Sequence, residues 1–261
     1  MKKQNSDERL TYLRKKNKKT GKIFILFVFA CFFTSLIFIS SALANLLCIK
    51  NWGLFVKSAS VPAVTIYCVA SGQFETENSA IIQSELIKEK GGAGYIYKNG
   101  ETFTVLLFAY LNQATAQKVI ENNSDKVADL FCLTIETSQT KIQHNKSAKD
   151  ISSLTNICQL PLNTFKKLQA ISNSFDGGEL TSSQTFNKLF SLSYEIENVI
   201  KNFESQSLLV SSENYNMLLE KAKNIFSKVN NVILNSSKQS LSCNIKHVAL
   251  EVLFVGESLT I

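Results

Sequence analysis

Residues 95–110 read Tyr-Ile-Tyr-Lys-Asn-Gly-Glu-Thr-Phe-Thr-Val-Leu-Leu-Phe-Ala-Tyr and contain the turn around which the fold is organised. Asn99-Gly100 is a dipeptide that readily accepts the positive φ angles of a type I′ turn. Stretches rich in β-branched and aromatic residues flank it on both sides. The pattern therefore predicts a β-hairpin with strands at 95–97 and 102–110.

A strand and a helix are predicted on each side of this hairpin, from alternating apolar runs and from apolar residues at helical spacing. In chain order the predicted elements are a strand at 64–74, a helix at 77–90, the hairpin, a helix at 114–121 and a strand at 127–135. The order βαββαβ predicts an α+β domain with an antiparallel sheet over residues 61–137.

The strand at 102–110 has apolar residues on both faces. Val105 and Leu107 point to one side of an alternating strand, whereas Leu106 and Phe108 point to the other. A sheet with one wet face alternates apolar and polar residues, so this strand is predicted to be buried on both sides. The C-terminal helices or a partner are expected to supply the cover.

The chain after residue 137 is predicted to be a linker followed by helices. Residues 138–150 are polar without an apolar period, and residues 151–261 carry amphipathic helical stretches. Thr181 and Gln184 fit a capping box. A helix at 153–171 is expected to be interrupted or kinked near Pro161, while residues 245–255 fit a buried strand or a buried helix equally well.

The N-terminal region predicts a single membrane span. No charged residue occurs in residues 23–49, and the tail before it, residues 1–22, holds nine Lys and Arg against two acidic residues. About 20 apolar residues in helix cross a bilayer, and flanking cations stay on the cytoplasmic side. We therefore expect a single-pass protein of the cell membrane, with the tail inside and the C-terminal domain extracytoplasmic.

A cleaved signal peptide is the alternative to an anchor, because Ala42-Leu43-Ala44 forms a small-x-small site after the apolar run. The long basic tail and the continuation of the uncharged run to Ile49 favour the anchor. The tail also accounts for the whole net charge of +7. The remaining chain is neutral, which argues against nucleic-acid binding.

No motif in the chain predicts catalysis, a cofactor or a metal site. The two histidines, His144 and His247, have no partner set at a metal-ligand spacing, and there is no phosphate loop or nucleophile elbow. Two carboxylate pairs are candidates for acid–base work but occupy helix starts and helix faces typical of solvated residues. They are Glu75 with Glu77 and Glu195 with Glu197.

Six cysteines leave the redox state open. Cys31 and Cys48 lie in the predicted span. The other four follow it, where an oxidising exterior permits disulfides, but buried free thiols fit the spacing equally well. These four are Cys68, Cys132, Cys158 and Cys243.

The βαββαβ segment resembles the SPOR (sporulation-related) domain. Residues 69–74, Val-Ala-Ser-Gly-Gln-Phe, precede a helix containing Ala80, and residues 104–110, Thr-Val-Leu-Leu-Phe-Ala-Tyr, precede a helix containing Ala116. These look like the paired half-motifs of that family. The resemblance implies a ferredoxin-like four-stranded sheet with two helices on one face. It also implies a membrane-tethered module that binds peptidoglycan glycan strands in cell division or sporulation.

The same resemblance assigns the binding surface to the open face of the sheet, around Ala70, Gly72, Leu106 and Phe108, with Gln73 and Tyr110 at its rim. Two positions depart from the family pattern. Ala70 replaces a frequent glutamine, and Phe108 replaces a small residue. The alternative is a membrane-tethered scaffold in which the sheet is covered and the C-terminal helices bind an envelope protein.

Overall fold

A computed structural model describes residues 57–61, 63–137, 140–144, 148–205 and 212–257. The predicted tail and membrane span lie outside these residues. Within the described residues, no helix is long and apolar enough to cross a membrane.

The chain folds as an α+β protein with six described strands and six described helices. The strands are β1 (Lys57–Val61), β2 (Thr65–Phe74), β3 (Tyr95–Asn99), β4 (Thr102–Tyr110), β5 (Leu130–Glu136) and β6 (Thr140–His144). The helices are α1 (Glu77–Glu89), α2 (Gln113–Asn123), α3 (Ala148–Asp176), α4 (Ser182–Glu204), α5 (Ser212–Asn235) and α6 (Leu241–Glu257).

The sheet predicted from the sequence is present. Four antiparallel strands lie in the order β3-β4-β2-β5, and the hairpin joins β3 to β4 with Asn99 opposite Thr102. The two turn residues are therefore Gly100 and Glu101, not the predicted Asn99-Gly100, and only Gly100 has a positive φ, 62°. A glycine at the first central position is typical of a type II′ turn, so the predicted type I′ turn is corrected. The predicted βαββαβ order is therefore confirmed.

Helix α1 packs on the sheet through small and apolar side chains. Thr76 caps its N-terminus by accepting a hydrogen bond from the Ser79 amide, and Ala80 and Ile87 form a buried cluster with Val105 of β4. Because neighbouring residues of a strand point to opposite faces, Leu106 is directed away from α1. Leu106 is nevertheless fully buried, because it belongs to the hydrophobic core that also contains residues of the C-terminal helices.

Strands β1 and β6 form a two-stranded ribbon in the same register as the β2–β5 pair. Thr65 lies opposite Glu136 in the sheet, and Val61 lies opposite Thr140 in the ribbon, four residues further along each strand. The ribbon therefore extends the β2–β5 pair of the sheet, with β1 preceding β2 and β6 leading from β5 to α3.

Helices α3–α6 pack on one another and share a single core with the sheet. Thr181 and Gln184 form the predicted capping box of α4. Phe203 of α4 stacks on Tyr215 of α5 at 4.9 Å between ring centroids, and Lys228 of α5 pairs with Glu251 of α6.

Three predictions change at the level of single elements. The linker predicted at 138–150 contains β6, whose polar sequence forms a strand because it pairs with β1. Helix α3 continues through Pro161 without the predicted interruption. Residues 245–255, which fitted a strand and a helix equally well, belong to α6. β5 begins at Leu130 and not at the predicted residue 127, because Asp129 just before it has a φ of 55°.

Candidate functional site

Helices cover much of the sheet face that the SPOR resemblance assigns to glycan. Four of the six proposed residues are buried: Ala70, Leu106, Phe108 and Tyr110. This corrects the expectation of an open face. The expectation of apolar cover over β4 is confirmed.

Side chains of α3 cover the C-terminal end of β4. The Phe108 ring lies edge-on to Tyr110, with centroids 5.5 Å apart, and 6.3 Å from the ring of Phe165 in α3. Gln169 of α3 donates from Nε2 to the carbonyl oxygen of Ala109 at 2.8 Å. Burial, with a smaller contribution from Asp176, raises the pKa of Tyr110 to about 12. A saccharide has no access to these side chains in this structure.

Helix α6 covers the hairpin side of the sheet. Tyr95, which is paired with Leu106, contacts His247 and stacks on Phe254, at 5.6 and 5.3 Å between ring centroids. His247 Nδ1 lies 2.9 Å from the carbonyl oxygen of Ala93. This histidine, which the sequence left without a role, therefore holds α6 on the sheet.

A charged contact fixes the same helix to the turn after α1. Lys246 of α6 donates from Nζ to the carbonyl oxygen of Gly91 at 2.7 Å and pairs with Asp176 of α3 at the same distance. Asp176 also accepts from Ser242 Oγ at 2.6 Å. One carboxylate at the end of α3 thus binds two residues of α6.

The other two proposed residues, Gly72 and Gln73, lie in an open cleft of about 690 Å³ at the end of β2. Gly72 has a φ of 75° and sits at an irregularity in the pairing of β2 with β4. It therefore lies at a bulge within the strand. The other residues of this cleft are Ser71, Phe74, Gln83, Ala128, Asp129 and Phe131.

Hydrogen bonds fix the polar wall of the cleft. Gln83 of α1 donates from Nε2 to Ser71 Oγ at 2.8 Å, and Ser71 Oγ donates to the carbonyl oxygen of Ala128 at 3.2 Å. A side-chain amide held in this way presents its remaining donor and acceptor in a fixed direction. With Gln73 and Asp129 exposed beside it, the cleft offers amide and carboxylate groups next to two aromatic rings.

Helix α4 exposes two aromatic side chains one turn apart. Phe190 is 56% exposed and Tyr194 is 64% exposed, while Leu189 and Ile196 on the opposite side of the helix are buried. The amphipathic pattern predicted for this region does not by itself indicate which of its apolar residues face solvent. We refer to Phe190 and Tyr194 as the α4 aromatic pair.

The carboxylate pairs considered for acid–base chemistry lie apart from the cleft or pair with lysines. Glu75 and Glu77 are exposed at the start of α1. Glu195 pairs with Lys167 and Glu197 with Lys201. Among the described residues, no group of three His, Cys, Asp or Glu side chains is placed to hold a metal ion.

Among the four cysteines that follow the predicted span, Cys132, Cys158 and Cys243 are free thiols. Cys68, Cys158 and Cys243 are buried, whereas Cys132 on β5 is half-buried. Burial raises the pKa of Cys158 to about 12 and also raises the pKa of Cys132 and of Cys243. Because thiolate is the reactive form, burial makes Cys132, Cys158 and Cys243 less reactive than fully exposed thiols.

No protein-family model, curated protein or solved structure matches this chain. The physical arrangement of its residues is therefore the basis for a functional interpretation.

Proposed function

We propose that this protein is a membrane-anchored, extracytoplasmic scaffold without catalytic activity, whose C-terminal helices dock an envelope protein. The burial of Leu106 and Phe108 carries the proposal. The chain's own helices fill this sheet face and stabilise the fold. A partner protein must therefore bind to another surface.

The α4 aromatic pair is the docking surface that we propose. Soluble domains usually bury large aromatic rings, and aromatic side chains dominate the energetics of protein interfaces. Phe190 and Tyr194 lie at i and i+4, so their rings share one face of α4. A partner with an apolar groove fits this face.

Site-specific photo-crosslinking of the full chain in membranes of its host tests this function. A photoreactive phenylalanine analogue at position 190 is expected to give one discrete adduct. Tyr194→Glu in the same chain should reduce that adduct about tenfold, the loss of roughly 1.4 kcal/mol expected for an interface aromatic. The same analogue at Gln117, an exposed residue of α2, is the matched control. Equal adducts at both positions would contradict the docking surface.

Glycan binding at the cleft is the second candidate, and the exposure of Gln73 and Asp129 beside Phe74 and Phe131 favours it. Sugars are bound by hydrogen-bonding side chains together with aromatic surfaces. Sedimentation of the detergent-solubilised chain with purified sacculi, before and after amidase removes the stem peptides, separates the candidates. The scaffold proposal expects no binding to either preparation. Binding to stripped sacculi that Gln73→Ala abolishes would replace it with a peptidoglycan-binding function.

A further inference from the structure

The outer edge of β5 is one of the strand edges that no other described strand pairs with. β5 ends the four-stranded sheet and pairs with β2 along one side. No strand among the described residues lies along its other side. The unpaired N–H and C=O groups of such an edge form a template for another strand.

β5 has few of the features that usually protect an edge. Its sequence, Leu-Phe-Cys-Leu-Thr-Ile-Glu, contains no lysine, arginine or proline over seven residues. The opposite edge strand, β3, has five residues and includes the exposed Lys98. Rings of α6 also pack against Tyr95 and Tyr97 of β3. Protection is therefore stronger at the β3 edge of the sheet than at the β5 edge.

We propose that two copies of this chain pair β5 with β5 in antiparallel orientation and join their sheets into one of eight strands. This inference is independent of the α4 aromatic pair. An antiparallel pair of identical strands is related by a two-fold axis, so one surface supplies both sides of the interface. An axis at Leu133, the central residue, pairs all seven residues of β5, whereas an axis at any other residue leaves some of them unpaired.

The side chains suit this two-fold register. Phe131 lies opposite Ile135 of the second copy, which is an aromatic and β-branched pair of the kind that stabilises strand pairing. Glu136, the only charged residue of β5, lies opposite Leu130. No like charges face each other, so the charge pattern of the edge permits a second copy.

The positions of Cys132 and Thr134 allow this register to be tested. They lie opposite each other across the two-fold axis, and directly opposed residues of an antiparallel pair have Cα atoms about 4.5 to 5.5 Å apart. A disulfide bridges such a distance. Thr134 is exposed, so substitution there leaves the core intact.

The test mixes two differently tagged full-length chains in detergent, both with Cys31→Ser and Cys48→Ser. One retains Cys132, and the other carries Cys132→Ser with Thr134→Cys. Mild oxidation at about pH 9, chosen because burial raises the pKa of Cys132, is expected to give a mixed-tag disulfide dimer. The matched control replaces Thr134→Cys with Gln117→Cys on the exposed face of α2 and should give none.

Light scattering supplies the second measurement. We expect the wild-type chain to have twice the monomer mass and Thr134→Lys to be monomeric, because a lysine protects an edge strand. Gln117→Lys should remain a dimer. A monomeric wild-type chain overturns the proposal. So does a mixed-tag dimer formed equally by the control pair, because random collision then explains it.

Discussion

Val64 and Thr137 are joined by three hydrogen bonds where the sheet continues into the ribbon. The Val64 amide donates to Thr137 Oγ1 at 2.9 Å, that hydroxyl donates to the Val64 carbonyl oxygen at 3.1 Å, and the Thr137 amide donates to the same oxygen at 3.0 Å. The threonine hydroxyl therefore helps to maintain one register between the β2–β5 pair and the ribbon.

Thr137→Val is expected to lower the free energy of unfolding by about 1 to 3 kcal/mol, because it leaves the part-buried Val64 amide without its acceptor. Thr137→Ser retains the hydroxyl and should cost much less. Denaturant unfolding of the full chain in detergent measures both. Equal losses for the two variants would show that the hydroxyl is not the cause.

Gly72→Ala should destabilise the chain more than Gly91→Ala. Both glycines have positive φ, 75° and 80°, so each substitution carries backbone strain on the order of 1 kcal/mol. A Cβ at Gly72 would also lie 2.7 Å from Cζ of Phe74, whereas a Cβ at Gly91 meets no atom within 4 Å. The difference between the two melting temperatures measures the contact with Phe74. Identical shifts would show that the ring moves aside without cost.

The hairpin and the helix–strand order were predictable because their signals are local. Gly100 indicates the turn, although the turn lies at Gly100-Glu101, one residue later than predicted. The apolar residues on both faces of residues 102–110 indicate burial on both sides of the strand. The sequence did not indicate which residues of the C-terminal helices cover the sheet. Phe165 contacts Phe108 and His247 contacts Tyr95 across more than 50 residues of chain, and periodicity carries no information about such distant pairs.

Two further features show the same limit. β6 has a polar sequence without a strand period, and it forms because β1 continues the register of the β2–β5 pair. The cleft contains the bulge at Gly72 and the positive φ at Asp129, and the pairing of β2 with β5 brings residues as distant in sequence as Gln73 and Phe131 into its lining.

Tyr110 is expected to make folding sensitive to alkaline pH. Its pKa rises from 10.0 to about 12 in the folded chain, chiefly through burial, so the folded state keeps a proton that the unfolded state loses. Its contribution to stability is complete below about pH 10 and is lost as pH rises towards 12, by on the order of 2 to 3 kcal/mol. Tyr110→Phe should remove this part of the pH dependence in denaturant unfolding. Tyr194→Phe, at an exposed ring, is the control and should leave the profile unchanged.

The predicted orientation in the membrane has a direct test. Because the nine basic residues precede the uncharged stretch, protease added to intact wall-free cells should remove the region after Lys50 and spare the tail. Antibody tags at the two ends distinguish the products. Digestion of the N-terminal tag with protection of the C-terminal one would reverse the topology and exclude an extracytoplasmic scaffold.

The sheet and the C-terminal helices are expected to unfold as one cooperative unit. Leu106 and Phe108 are buried in the core that the sheet shares with α3–α6, so residues 61–137 expressed alone would expose a hydrophobic patch. This fragment should aggregate or bind a hydrophobic dye, whereas the full chain in detergent should show a single unfolding transition. Phe165→Ala in the full chain provides a milder form of the same test. It should cost about 3 to 5 kcal/mol if the ring packs as tightly as its complete burial indicates. A monomeric, dye-silent fragment that binds stripped glycan better than the full chain would show that the cover is dispensable and that the sheet face is a binding surface.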